Sequence, residues 1–115
     1  MKSLKNTLIQ ITQNGMGAGD EELGLLLVKN YLKLVGEENE LPQVIVFYNG
    51  GVKLICEGSP AIEILRALEQ KGVKLMACKT CLNHFNLLEK TEVGIAGTMM
   101  DIIELQKVAE KVVTL

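Results

Sequence analysis

Val73-Lys74-Leu75-Met76-Ala77-Cys78-Lys79-Thr80-Cys81-Leu82 joins an apolar run of strand length to a stretch of helical character, and this junction decides how the chain is read. Residues 73–77 predict a strand and residues 81–88 a helix, with Cys78 delivered to the C-terminal end of the strand. Such a strand-to-helix step is the repeating unit of a parallel sheet. It also makes a thiol reactive. Free N–H groups and the positive dipole end of a helix's first turn favour thiolate, and Lys79 adds a cation nearby.

The same alternation extends in both directions. Upstream, residues 7–13 predict a first strand, with Ile9 and Ile11 on one face, followed by a glycine-rich turn over residues 14–19. Asp20 is suited to cap the next helix, and Glu21 and Glu22 suit its positive end. Leu23, Leu27, Tyr31 and Leu34 recur at helical spacing, and Gly36 is the stop. An acidic linker, residues 37–40, leads through Pro42 into Val44-Ile45-Val46-Phe47-Tyr48. That near-continuous apolar run is typical of a central strand covered on both faces.

Asn49, Gly50 and Gly51 break the strand, and residues 52–57 fit a helical turn or an extended piece equally well. Ser59 and Pro60 predict a helix start, with apolar positions Ile62, Leu65 and Leu68 and an end at Gly72. Downstream, residues 93–96 predict a fourth strand. Thr98 with Asp101 reads as a capping box for a last helix carrying Ile102, Leu105 and Ala109, and Val112 and Val113 close with a short strand. The fold class is therefore α/β, with helices on both faces of a mostly parallel five-stranded sheet.

Length and composition exclude several functions. A chain of 115 residues suits one domain, residues 1–115, with a single core. Apolar residues make up 48% and charged residues 23%, which excludes a disordered chain. The net charge of −2 with scattered lysines argues against strong nucleic-acid binding. Apolar stretches are too short for a signal peptide or a membrane span, so the expected location is the cytoplasm. Three cysteines, an odd number, argue for reduced thiols rather than a disulfide framework.

A CxxC pair within one helical turn serves three chemistries: a disulfide, a persulfide with a resolving thiol, or two metal ligands. A zinc site would recruit Cys56 and His84, a spacing that fits no known zinc pattern. The thioredoxin arrangement needs a proline downstream of the pair, whereas Pro42 and Pro60 both lie upstream. Gly15, Gly17 and Gly19 do not match the dinucleotide fingerprint, and Asp20, Glu21 and Glu22 would repel phosphate. No cofactor is expected.

Taken together, Asn49-Gly50-Gly51-Val52-Lys53-Leu54, Glu57-Gly58-Ser59, Cys78-Lys79-Thr80-Cys81-Leu82 and Val93-Gly94 resemble the DsrE-like family. The segment from Met16 to Gly24 fits the same pattern, so the likeness spans nearly the whole chain. The nearest form is the DsrE-type domain of YedF, associated with selenium metabolism. The resemblance implies a three-layer α/β/α domain assembled as a trimer or hexamer. It further implies a sulfur-relay, sulfurtransferase-like carrier, working between donor and acceptor proteins.

By that resemblance Cys78 accepts sulfane sulfur as a persulfide and Cys81 assists its release, with Gly17, Asn49, Gly50, Lys79 and Thr80 around them. YedF-type proteins usually carry an additional TusA-like domain that is not among these residues, so a TusA-like carrier is an expected partner. Lys79 stands where glycine is common in the family. The alternatives are a non-catalytic oligomeric interaction subunit and a dithiol redox or zinc-binding domain.

Overall fold

The structure, a computed structural model, describes residues 2–115. Strands β1 (Thr7–Ile11), β2 (Val44–Phe47), β3 (Lys74–Cys78), β4 (Ile95–Gly97) and β5 (Lys111–Thr114) form one sheet in the order β4-β3-β2-β1-β5. Every neighbouring pair is parallel. The helices are α1 (Glu21–Val35), α2 (Ile62–Gln70), α3 (Lys79–His84) and α4 (Met99–Val108). Among the described residues, no helix is long and apolar enough to cross a membrane.

Parallel neighbours require crossovers, and right-handed ones lay α1 and α2 on the same face, where they pack together. From β4 at one edge the chain returns to β5 at the other, reversing its direction of travel. The same handedness therefore lays α4 on the opposite face. There Gln106 Nε2 donates to Gln10 Oε1 at 2.6 Å, while Gln10 Nε2 donates to Thr114 Oγ1 at 2.8 Å. These bonds satisfy a glutamine buried in the middle of the sheet and tie α4 and β5 to β1.

β1 and β2 are buried along their whole length; β2 is accordingly apolar throughout, whereas β1 buries two polar residues, Thr7 and Gln10. Several local expectations hold at the level of atoms. Asp20 Oδ1 accepts from the Leu23 N–H at 2.7 Å at the start of α1, and Thr98 and Asp101 form a reciprocal capping box on α4. The Thr98 N–H and hydroxyl hold the Asp101 carboxyl below its ordinary value of 3.8.

Other boundaries move. β1 ends at Ile11 rather than residue 13, because the Gly15 N–H turns back to the Gln13 carbonyl at 2.7 Å. α2 begins at Ile62, two residues beyond the expected position, because the Ser59 hydroxyl accepts from the Ala61 N–H and spends Ser59 and Pro60 on a turn. Residues 52–55 of the undecided segment belong to a 3-10 helix, Asn49–Ile55, and Cys56, in extended conformation, ends it.

The largest difference concerns α1. Its buried stripe is Gly24, Val28, Leu32 and Val35, one position along from the expected Leu23, Leu27, Tyr31 and Leu34. Gly24 explains the rotation. Its carbonyl accepts from the Met16 N–H at 2.9 Å, and a Cβ at Gly15 would lie 2.8 Å from the Gly24 carbonyl carbon. Only glycine lets helix and loop backbones meet so closely. The helix is apolar on several sides, so Leu23, Leu26, Leu27 and Leu34 are left exposed.

Candidate functional site

The C-terminal strand ends form the crevice in an open parallel sheet, and the paired thiols sit there. β3 ends on Cys78, which takes an extended conformation (φ −63°, ψ 119°) and acts as the N-cap position of α3 without a capping hydrogen bond from its side chain. The helix thus starts at Lys79 instead of residue 81, and Cys81 falls at its third position. An N-cap side chain reaches toward that position, so the two sulfurs are brought together by ordinary helix-start geometry.

α3 stops at His84 because Asn86 adopts a left-handed conformation (φ 58°), with the Leu87 N–H bonded to the Leu82 carbonyl at 2.8 Å. That is a Schellman-type end. Leu82 between them is fully buried and anchors the short helix to the core.

The loop after β2 supplies the third component. The Asn49 N–H donates to Cys81 Sγ at 3.1 Å. Asn49 has φ 53°, a conformation tolerated by asparagine, and opens the 3-10 helix whose first N–H groups have no partner within the helix. Gly51 holds this turn against β1, since a Cβ there would overlap the Ile11 carbonyl oxygen. The Asn49 N–H and the thiol pair therefore come together, whereas Gly50 lies beside the backbone of Gln13 and Asn14.

Exposure separates the two cysteines. Cys78 is only 1% exposed, whereas Cys81 is partly open to solvent. Burial pushes the Cys81 thiol up, and the neighbouring Cys78 adds to the rise, while the Asn49 N–H works in the opposite direction. The expected depression of thiol pKa at this junction is thus not met at Cys81, because desolvation outweighs the backbone donor. Lys79 and Thr80 project on the exposed side of the helix.

Gly17 lies elsewhere. It lines a cavity of about 250 Å³ with Asn14, Asp20 and Lys53, and that cavity touches neither Cys78 nor Cys81. An adjoining cavity of about 510 Å³ shares Asn14 and Lys53 and extends to Cys56 and Phe85. Lys53 caps the Phe85 ring at 4.7 Å. The sequence does not single out Lys53 as a site residue, since its segment has no decided conformation; a lysine two residues beyond a strand-ending Asn-Gly-Gly is the available signal.

The zinc set is not assembled. Among the described residues, no three His, Cys, Asp or Glu side chains come together as a metal site. Cys56 is buried and its thiol donates to the Val52 carbonyl at 3.2 Å, while exposed His84 packs edge-on against Phe85 at 5.1 Å.

Comparison with known proteins agrees with this architecture. The pattern of the DsrE/DsrF-like family matches residues 5–115. The ychN protein of E. coli superposes with a TM-score of 0.69 at 23% identity, covering 95% of this chain and 99% of that one. MTH1491 of Methanobacterium thermoautotrophicum, a protein of unknown function, also gives 0.69, at 19% identity over 95% of this chain and 97% of its own. BT1422 of Bacteroides thetaiotaomicron gives 0.63 at 16% identity, covering 96% and 95%. No curated protein matches the chain in sequence.

Proposed function

Because this chain belongs to the DsrE/DsrF-like family, we propose that it is a sulfur-relay domain that carries a labile sulfane sulfur on the Cys78–Cys81 pair. The single observation that supports this reading most is the meeting of two reduced thiols with a backbone donor, the Asn49 N–H, at the C-terminal edge of the central strands. Transfer needs a thiol as acceptor, a second thiol or a partner to take the sulfur onward, and a donor to stabilise the sulfur anion formed in each exchange. All three are within this small crevice.

In the loading step a cysteine thiolate attacks the outer sulfur of a donor persulfide. The S–S bond of the donor breaks, the donor thiolate leaves with the bonding pair, and a cysteine persulfide remains on this chain. Unloading is the same exchange with an acceptor thiolate. Neither step changes the total number of electrons, so no cofactor is required. The partners are accordingly sulfur donor and acceptor proteins, a TusA-like carrier among them.

Intact-mass spectrometry after exposure to a small persulfide tests this reading. The wild type should gain the mass of one sulfur, removable by thiol reductant, and the double variant Cys78→Ser/Cys81→Ser should gain none. A wild type that never acquires the adduct would end the proposal. A perselenide offered in the same assay tests the link to selenium implied by the YedF-type resemblance, with a selenium-bearing adduct as the expected product.

The exposed leucines of α1, with Met99, Met100 and Ile103 on α4, support assembly of several copies, as a trimer or hexamer. Analytical ultracentrifugation should find a mass three or six times that of the chain, and Leu27→Glu should lower it. A wild type sedimenting as a monomer at micromolar concentration speaks against assembly.

A further inference from the structure

We propose that the larger cavity beside Lys53 binds a free α-amino acid with an apolar side chain, holding its carboxylate on Lys53 and its ammonium on Glu57. This inference goes beyond the relay reading and does not rest on it.

The cavity, of about 510 Å³, lies between the 3-10 helix, the turn that precedes α2 and the C-terminal end of α3. Its volume is that of a small-molecule site. Leu25, Pro60, Phe85 and Leu87 give it apolar walls. Cys56 also borders it, but that thiol is spent on the Val52 carbonyl.

Two opposite charges stand on this wall without neutralising each other. Lys53 and Glu57 both line the cavity, yet among the described residues neither enters an ion pair. Their backbones are fixed: the Lys53 carbonyl accepts from the Cys56 N–H at 3.3 Å, and the Glu57 N–H donates to the Lys90 carbonyl at 2.9 Å. Phe85 steers the lysine further, with its ring centre 4.7 Å from the ammonium. A ring face attracts the charge but takes none of its three N–H donors, which remain for an anion. A separated cation and anion beside an apolar surface complement an amino-acid zwitterion, whose carboxylate, ammonium and side chain all leave one carbon.

Selectivity follows from the adjoining smaller cavity. Asp20 and Glu21 line it, next to the Asn14 and Lys53 wall that both cavities share. Their charge repels a second carboxylate, so glutamate is disfavoured against leucine.

Titration of isotope-labelled protein with L-leucine, followed through backbone amide NMR shifts, tests the assignment. Saturable shifts should centre on residues 53–57 and 85–87. Leucinamide lacks the carboxylate and N-acetylleucine lacks the ammonium, so each should bind at least about tenfold more weakly, as should L-glutamate. Lys53→Met and Glu57→Gln, both at exposed positions, should each weaken L-leucine binding by a similar factor. The absence of saturable shifts at about 10 mM L-leucine would overturn the inference. So would equal binding of leucine, leucinamide and N-acetylleucine, which would mean apolar filling alone. The ligand series is compared on the wild type, so the result does not depend on a variant's folding, and either failure leaves the relay reading intact.

Discussion

Gly51→Ala should lower the unfolding free energy by on the order of 3 kcal/mol or more, read as a fall in the denaturant midpoint with an unchanged slope. The added methyl would overlap the Ile11 carbonyl oxygen, and its next contacts are also backbone atoms of β1 and the following turn. Backbone of a central strand cannot swing aside as a side-chain tip can. Gly58→Ala offers the control: its φ of 86° is costly for alanine, but the space is open, so about 1 kcal/mol is expected. Equal effects at the two positions would show that close packing at Gly51 is not what fixes this turn.

The consequence reaches the thiols, because Gly51 is two residues from the N–H that holds Cys81. A variant that remains folded by shifting this loop should also lose the bond. Stability and site geometry are coupled through one glycine.

Phe47→Ala should cost about 3–5 kcal/mol. Phe47 is fully buried at the end of β2, paired in register with Ile11 on one side and Ala77 on the other, so its removal leaves a cavity between strands that lead directly to the site. By contrast, Val112→Ala on the exposed side of edge strand β5 should change stability by no more than about 0.5 kcal/mol. Thermal or denaturant unfolding of both variants distinguishes them, and a Phe47→Ala effect as small as that of Val112→Ala would contradict the assigned core.

How much of this was legible in the sequence depended on whether the signal was local. The five strands, the Asp20 cap and the Thr98–Asp101 box could be read because the relevant chemistry lies within a few residues. The buried face of α1 could not. Leu23, Leu25, Leu26 and Leu27 supply apolar candidates on most sides of the helix, and the choice was made by contact between Gly24 and a loop outside the helix. Periodicity alone does not register such a contact.

The site shows the same division. Cys78 and Cys81 were marked by spacing and by the strand-to-helix junction, and Asn49 and Gly50 by the turn that ends β2. Two things were not marked: that the Asn49 N–H points at Cys81, and that burial dominates the thiol's electrostatics. Both depend on how β2 and β3 lie side by side, a long-range property. Gly17 was drawn toward the thiols by the general rule for strand ends, yet its loop opens on the Lys53 cavity instead.

The central claim is that sulfur passes through this chain on the paired thiols, and a load-and-release measurement tests it most directly. Protein treated with a persulfide donor is freed of excess donor, assayed for sulfane sulfur, then given an acceptor thiol and assayed again. The account predicts about one sulfane sulfur gained per chain and then lost to the acceptor, with neither step in Cys78→Ser/Cys81→Ser. A wild type that gains no more sulfane sulfur than the double variant, or gains it and never yields it, would contradict the account.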